Sequence, residues 1–145
     1  LQYPVPLYYV GRLDKESEGL LLMTNDGDLA NAISKARNGH EKEYEVTVNR
    51  PVTKTFIRRM AQGVPILDTV TQPCNIWQTG EREFTIVLKQ GLNRQIRRMC
   101  EACGYHVRRL KRVRVMNITL GELKTGEFRE LQPEEEEQLR QLCRL

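Results

Sequence analysis

Residues 11–27 read Gly11-Arg12-Leu13-Asp14-Lys15-Glu16-Ser17-Glu18-Gly19-Leu20-Leu21-Leu22-Met23-Thr24-Asn25-Asp26-Gly27. One carboxylate, Asp14, stands between two glycines, just ahead of a run of apolar side chains. Residues 19–25 read as a buried strand of the kind covered on both faces. Asp26-Gly27 ends it, and residues 28–36 read as a short helix with Leu29, Ala32, Ile33 and Ala36 inward. An acid on a loop braced by such elements is held firmly yet stays within reach of a substrate.

The pattern continues outward from that stretch. Lys42 to Asn49 alternates strictly, with Tyr44, Val46 and Val48 on one face, which predicts a half-buried strand. Thr53 is a candidate N-cap for a helix through Gln62, with Phe56, Ile57 and Met60 inward and Gly63 as its stop. Two strands follow, near 69–78 and 83–89, joined by a turn at Thr79-Gly80. Asn93 to Cys103 has helical spacing, with Leu92, Ile96, Met99 and Cys103 on one face and Gly104 after the end. Val107 to Leu120 is β-rich, and four glutamates after Pro133 favour a final helix. Long strands mixed with short helices predict an α+β fold with a mixed, mostly antiparallel sheet. The connections are too short for a doubly wound parallel fold.

The chain has 145 residues, enough for one domain that buries its own core without a disulfide or metal. A content of 39% hydrophobic and 29% charged residues is too apolar for disorder. No apolar stretch approaches a membrane span. Net charge is +4, but the excess is local. Residues 1–90 carry 11 basic and 11 acidic side chains, whereas residues 91–114 carry eight Arg or Lys against Glu101 alone. An arginine-rich run interleaved with apolar residues favours an anionic partner such as RNA over a merely solvated face. Cys100 and Cys103 form a C-x-x-C pair without a second pair or suitably spaced histidines, so the expectation is packed, reduced thiols and no metal. Reduced thiols suit a cytoplasmic protein.

Asp14 lacks the second carboxylate that a glycosidase needs, since Glu16 and Glu18 read as solvated surface. Ser17 has no G-x-S-x-G context. Chemistry with a single carboxylate remains, and isomerisation of a nucleobase is such chemistry, requiring neither redox change nor cofactor. It needs a flat partner for a flipped base, and Tyr44 could serve, although a core tyrosine on an alternating strand is the competing reading. A helix would place Arg94, Arg97 and Arg98 on a shared face, either around an anion or paired with surface acids. Residues 108–114 add Arg108, Arg109, Lys111, Arg112 and Arg114, which a strand must divide between its two faces.

Three segments, Gly11-Arg12-Leu13-Asp14, Lys42-Glu43-Tyr44 and Gly91-Leu92-Asn93-Arg94-Gln95-Ile96-Arg97-Arg98-Met99, stand in the order of the motifs of one enzyme family. The chain resembles pseudouridine synthases of the RsuA/RluB/RluE/RluF type from Val10 to about Leu131. Gly39 to Tyr44 and Gly63 to Leu67 look most like the RluF subgroup, which modifies large-subunit ribosomal RNA. The resemblance implies a pseudouridine synthase core with a central RNA-binding cleft. Asp14 would be the nucleophile, Tyr44 would sit against the target base, and Arg97 would form a salt bridge with Asp14. Ile96 would face the uracil. Arg12 would enter the RNA stack in place of the flipped nucleotide, with simple pairing to a neighbouring acid as the alternative. Lys42, Asn93, Arg94, Arg98, Arg108, Arg109, Lys111 and Arg112 would contact RNA. The implied partner is structured RNA, ribosomal first and tRNA second, acted on by a monomer without cofactor, metal or membrane. The family's S4-like RNA-binding domain and first core strand would precede Leu1, so residues 1–145 are expected to be a catalytic domain truncated at its N-terminus. The alternative is a non-catalytic RNA-binding or ribosome-assembly module on the same fold.

Overall fold

Alternation along residues 42–48 makes that strand the centre of the molecule. The computed structural model describes residues 4–11, 13–35 and 39–143. Strand β4 (Lys42–Val48) lies between β8 (Glu83–Leu88) and β9 (Val107–Val115), antiparallel to both. The sheet is extended by β7 (Asn75–Gly80) beside β8 and β10 (Ile118–Thr119) beside β9. A two-residue strand, β2 (Glu18–Gly19), joins β9 as the parallel member. The expected α+β fold with a mixed, mostly antiparallel sheet is therefore what forms.

One sheet face carries Val46, Val48, Phe84, Ile86 and Leu110, all buried. Helices α2 (Lys54–Gln62) and α3 (Gln95–Ala102) supply Phe56, Met60, Ile96 and Met99 to the same core. The Phe56 ring meets Phe84 edge-on, with centroids 5.4 Å apart, and tilts against Tyr105 at 4.1 Å. Thr53 caps α2, its hydroxyl accepting from the Phe56 N–H at 3.1 Å. A second cluster forms where helix α1 (Gly27–Ser34) packs against the two-stranded sheet of β1 (Tyr8–Val10) and β3 (Leu22–Thr24). Leu139, from helix α4 (Pro133–Leu142), belongs to that cluster.

Four sequence expectations change. The apolar run 19–25 is two strands, because Gly19 pairs with β9 and the chain then turns so that Leu22 pairs with Val10. Leu21 is left 36% exposed, so the run is not covered on both faces. The strand expected at 69–78 is broken around Pro73 into β6 (Thr69–Val70), paired with β5 (Pro65–Ile66), and β7. Thr79 and Gly80 belong to β7, and the turn falls at Glu81 and Arg82. Helix α3 starts two residues later than expected, because Arg94 is left-handed at φ 48° and ψ 39°. All four cysteines are free, with Cys100 buried. No helix among the described residues is long and apolar enough to cross a membrane.

Candidate active site

The inward stripe of β4 does not stop at the core. Lys42 and Tyr44 continue the row of Val46 and Val48, while Leu88 continues the row of Phe84 and Ile86. On β9, Leu110 stands opposite Val46 and Arg112 opposite Tyr44. These five side chains form the floor of a cleft of about 660 Å³. Asp14 and its neighbours make one wall, and residues 90–96 make the other. A core face thus becomes a cleft floor where α2 and α3 no longer cover the sheet.

The Asp14 wall is a tight turn whose ends are both fixed. The Ser17 N–H donates to the Asp14 carbonyl at 2.9 Å. Upstream, the Gly11 N–H donates to Ser34 Oγ at 3.0 Å. Downstream, Gly19 lies flush against β9 at φ +117°, where an added Cβ would meet the Arg112 carbonyl oxygen at 2.2 Å. Only glycine meets both requirements. Arg97 holds the turn from α3, its Nη2 donating to the Glu16 carbonyl at 3.2 Å and to Ser17 Oγ at 3.4 Å.

The opposite wall is organised by Gln95, a polar side chain that is 96% buried by its 4% exposure. Its Oε1 accepts from the Leu92 N–H at 3.1 Å, and its Nε2 donates to Gln90 Oε1 at 3.2 Å. Arg98 grips Asn93 twice, donating from Nε to the carbonyl and from Nη2 to Oδ1, each at 2.9 Å. Arg94 crosses to the Asp14 turn, with Nη1 2.8 Å from Glu16 Oε2. This pair lowers the Glu16 carboxyl below its ordinary value, through the hydrogen bond first, and raises Arg94 by the same contact.

The cleft brings together Asp14, Lys42, Tyr44, Asn93, Arg94, Ile96 and Arg112. It does not include Arg97, Arg98, Arg108, Arg109 or Lys111 in its lining. Arg12 lies outside the described residues. The expected Arg97–Asp14 salt bridge is not among the ion pairs of the described residues, because Arg97 is engaged by the backbone and Ser17 of the same turn. The three arginines do not share a helix face, since Arg94 precedes the helix. Glu16 and Glu18 are not simply solvated: Glu16 holds Arg94, and Glu18 holds Arg109. Arg109 and Lys111 alternate with Leu110 and Arg112, so they fall on the sheet face away from the cleft. There Arg114 pairs with Glu43 at 3.0 Å and with Glu41 at 3.3 Å.

Gln95, Ser17, Glu16 and Gly19 shape the site and were not singled out from sequence. A glutamine amid arginines at a helix start was the available signal for Gln95. The other three depend on pairings across roughly 80 to 93 residues of chain, which local pattern does not carry.

The chain is similar to known proteins of one family. Residues 2–102 match the family described as RNA pseudouridylate synthase. Over 129 residues, covering 89% of the chain, the sequence is 54% identical to the dual-specificity RNA pseudouridine synthase RluF of Escherichia coli (strain K12). It is 35% identical over 146 residues, 97% of the chain, to the ribosomal large subunit pseudouridine synthase B of Bacillus subtilis (strain 168). A crystal structure of a pseudouridylate synthase superposes with a TM-score of 0.91 at 30% identity, covering 96% of this chain and 63% of that one. The chain spans 44% of the length of the Escherichia coli relative and 60% of the Bacillus relative. With its motifs gathered at one cleft, the chain belongs to the RNA pseudouridylate synthase family.

Proposed function

We propose that this chain converts a uridine of large-subunit ribosomal RNA into pseudouridine, with Asp14 as the nucleophile. The observation that carries this reading is the convergence of Asp14, Tyr44, Ile96 and the cations Lys42, Arg94 and Arg112 on one cleft. The base breaks its N1–C1′ bond, turns and rejoins through C5, while one proton leaves C5 and one arrives at N1. Atoms balance without water or an electron carrier. The cleft suits this sequence of events. A tyrosine ring offers a flat platform for the detached base, and Ile96, Leu88 and Leu110 give it apolar walls that exclude water. Asp14, fixed by a turn and two anchored flanks, meets the ribose with little reorganisation. Arg97 acts as a positioning residue that fixes the turn from behind. Arg94, Asn93, Lys42 and Arg112 meet the RNA at the cleft, with Arg98 holding Asn93 in place. Arg108 is assigned to RNA flanking the cleft, whereas Arg109, paired with Glu18, and Lys111 would meet RNA only where it reaches the opposite sheet face. The name of the Bacillus subtilis relative, a ribosomal large subunit pseudouridine synthase, supports ribosomal RNA as the substrate.

The test is pseudouridine mapping on unmodified ribosomal RNA by carbodiimide adduct and primer extension, with the chain and its Asp14→Asn variant in parallel. The expected result is a new stop that disappears in the variant, with RNA affinity unchanged within about threefold, since a surface-facing carboxylate adds little to binding of a polyanion. A stop that persists at full strength in Asp14→Asn would reject the assigned role. RNA binding without product in any RNA would leave a binding module.

A further inference from the structure

Two cations of the cleft floor have no carboxylate to answer them. Arg112 is 2% exposed, deeper than any other arginine or lysine among the described residues. Its Nε donates to the Leu20 carbonyl at 2.9 Å, while its Nη2 is buried without a hydrogen-bond partner. Lys42 lies on the same sheet face, one inward position before Tyr44, which is the residue opposite Arg112. Neither residue takes part in an ion pair of the described residues.

The nearby acids are directed elsewhere. Glu43 lies on the other sheet face, held by Arg114. Asp14 lines the same cleft but forms no ion pair with either cation among the described residues. Burial lowers the Lys42 amine from its ordinary value, and the charge of Arg112 lowers it further. A buried guanidinium with a free N–H is costly unless something satisfies it, so a fold that keeps one beside a lysine is organised for an anion.

We propose that Arg112 and Lys42 form a buried receptor for one phosphate of the substrate, the phosphate attached at the 5′ oxygen of the nucleotide whose base lies against Tyr44. This inference rests on the functional reading above and adds a ligand group to it. A phosphate suits the pair better than a uracil carbonyl, which brings no charge against two cations. The guanidinium supplies a fixed directional donor, and the ammonium supplies a mobile point charge. Because Tyr44 follows Lys42 in the inward row of β4 and stands opposite Arg112 on β9, a phosphate held by the two cations would set how deeply the base enters. The Arg112 backbone also seats Gly19, so the receptor is built directly onto the strand that follows the Asp14 turn.

Binding of uridine 5′-monophosphate and of uridine, measured by calorimetry on the whole chain, tests this without any reading of product. The chain should prefer the monophosphate by about tenfold or more, the range of a charged hydrogen-bonded contact. In Lys42→Met, and separately in Arg112→Lys, the preference for the monophosphate over uridine should fall to about threefold or less. Lys42 lies at a strand end and is half-buried, so Lys42→Met keeps the test open if the Arg112 variant fails to fold. Equal binding of the two probes, no detectable binding of either, or an undiminished preference in Lys42→Met overturns the receptor. A chain that prefers the monophosphate yet forms no pseudouridine would overturn the catalytic reading instead. Conversion of RNA without any phosphate preference would do the reverse.

Discussion

Gly19 and Arg112 are parallel-strand partners so close that a single methyl group on Gly19 would fall 2.2 Å from the Arg112 carbonyl oxygen. This contact fixes the Asp14 turn against the sheet that carries Tyr44, since Gly19 follows the turn and Arg112 stands opposite Tyr44. Gly19→Ala introduces both that clash and an alanine at φ +117°. The expected loss is about 3 kcal/mol or more of stability in denaturant unfolding. Gly11→Ala is the useful contrast. Gly11 has φ +72° but nothing within 4 Å of an added Cβ, so its loss should stay near 1 kcal/mol.

Arg97 holds the turn from the opposite side by its contacts with Glu16 and Ser17. Arg97→Met should lower kcat by about 10²-fold through misplacement of Asp14, with KM much less affected. Arg97→Lys should recover part of the loss, and Ser17→Ala should cost less than threefold, because the contact to the Glu16 carbonyl remains. A loss confined to KM would mean that Arg97 meets RNA directly.

Glu16 occupies Arg94 across the mouth of the cleft. Its removal frees that guanidinium for a phosphate. Glu16→Gln should tighten RNA binding by a few-fold at low salt and steepen the dependence of log affinity on log salt by about 0.7–0.9. Fluorescence anisotropy with a fixed RNA between 50 and 200 mM salt, on the order of the usual range, reads both effects. An unchanged slope would show that Arg94 does not reach a phosphate.

Glu135 sits in the capping box of α4, accepting from the Gln132 N–H at 2.9 Å and from Arg129 at 2.8 and 2.9 Å. The Arg129 hydrogen bonds, with the backbone contribution second, lower its carboxyl to about 2. Because the folded pKa lies below the unfolded one, the ionised form favours the fold above the ordinary value of 4.5, and this is lost as pH falls toward about 2. The pair is partly solvated, so Glu135→Gln should lower Tm by at most about 3 °C at neutral pH. That difference should shrink steadily between the two pKa values and vanish at the acid end.

Local pattern was sufficient where one element's own residues decide its state. The alternation of Lys42 to Val48 gave the central strand, and Thr53 gave the start of α2. Asp14, Tyr44, Arg94, Ile96 and Arg112 were legible as candidates, and they meet at one cleft. The apolar run 19–25 misled because hydrophobicity states that side chains are buried but not which partner buries each. Gly19 and Leu20 follow β9, whereas Leu22 to Thr24 follow β1.

The sequence by itself determined the α+β character of this protein, the inward stripe of its central strand and the candidacy of Asp14 on its loop. Those properties follow from periodicity and residue type, which act over a few positions. Only the tertiary structure decided that Arg97 braces the turn through Glu16 and Ser17, that Arg94 is engaged by Glu16, and that Arg112 is buried with its Nη2 unpartnered. Arginines in one run look alike as sequence. Their fates diverge because strand alternation sends Arg112 inward and Arg109 outward, and because a left-handed residue at Arg94 ends the helical spacing that would have grouped it with Arg97 and Arg98.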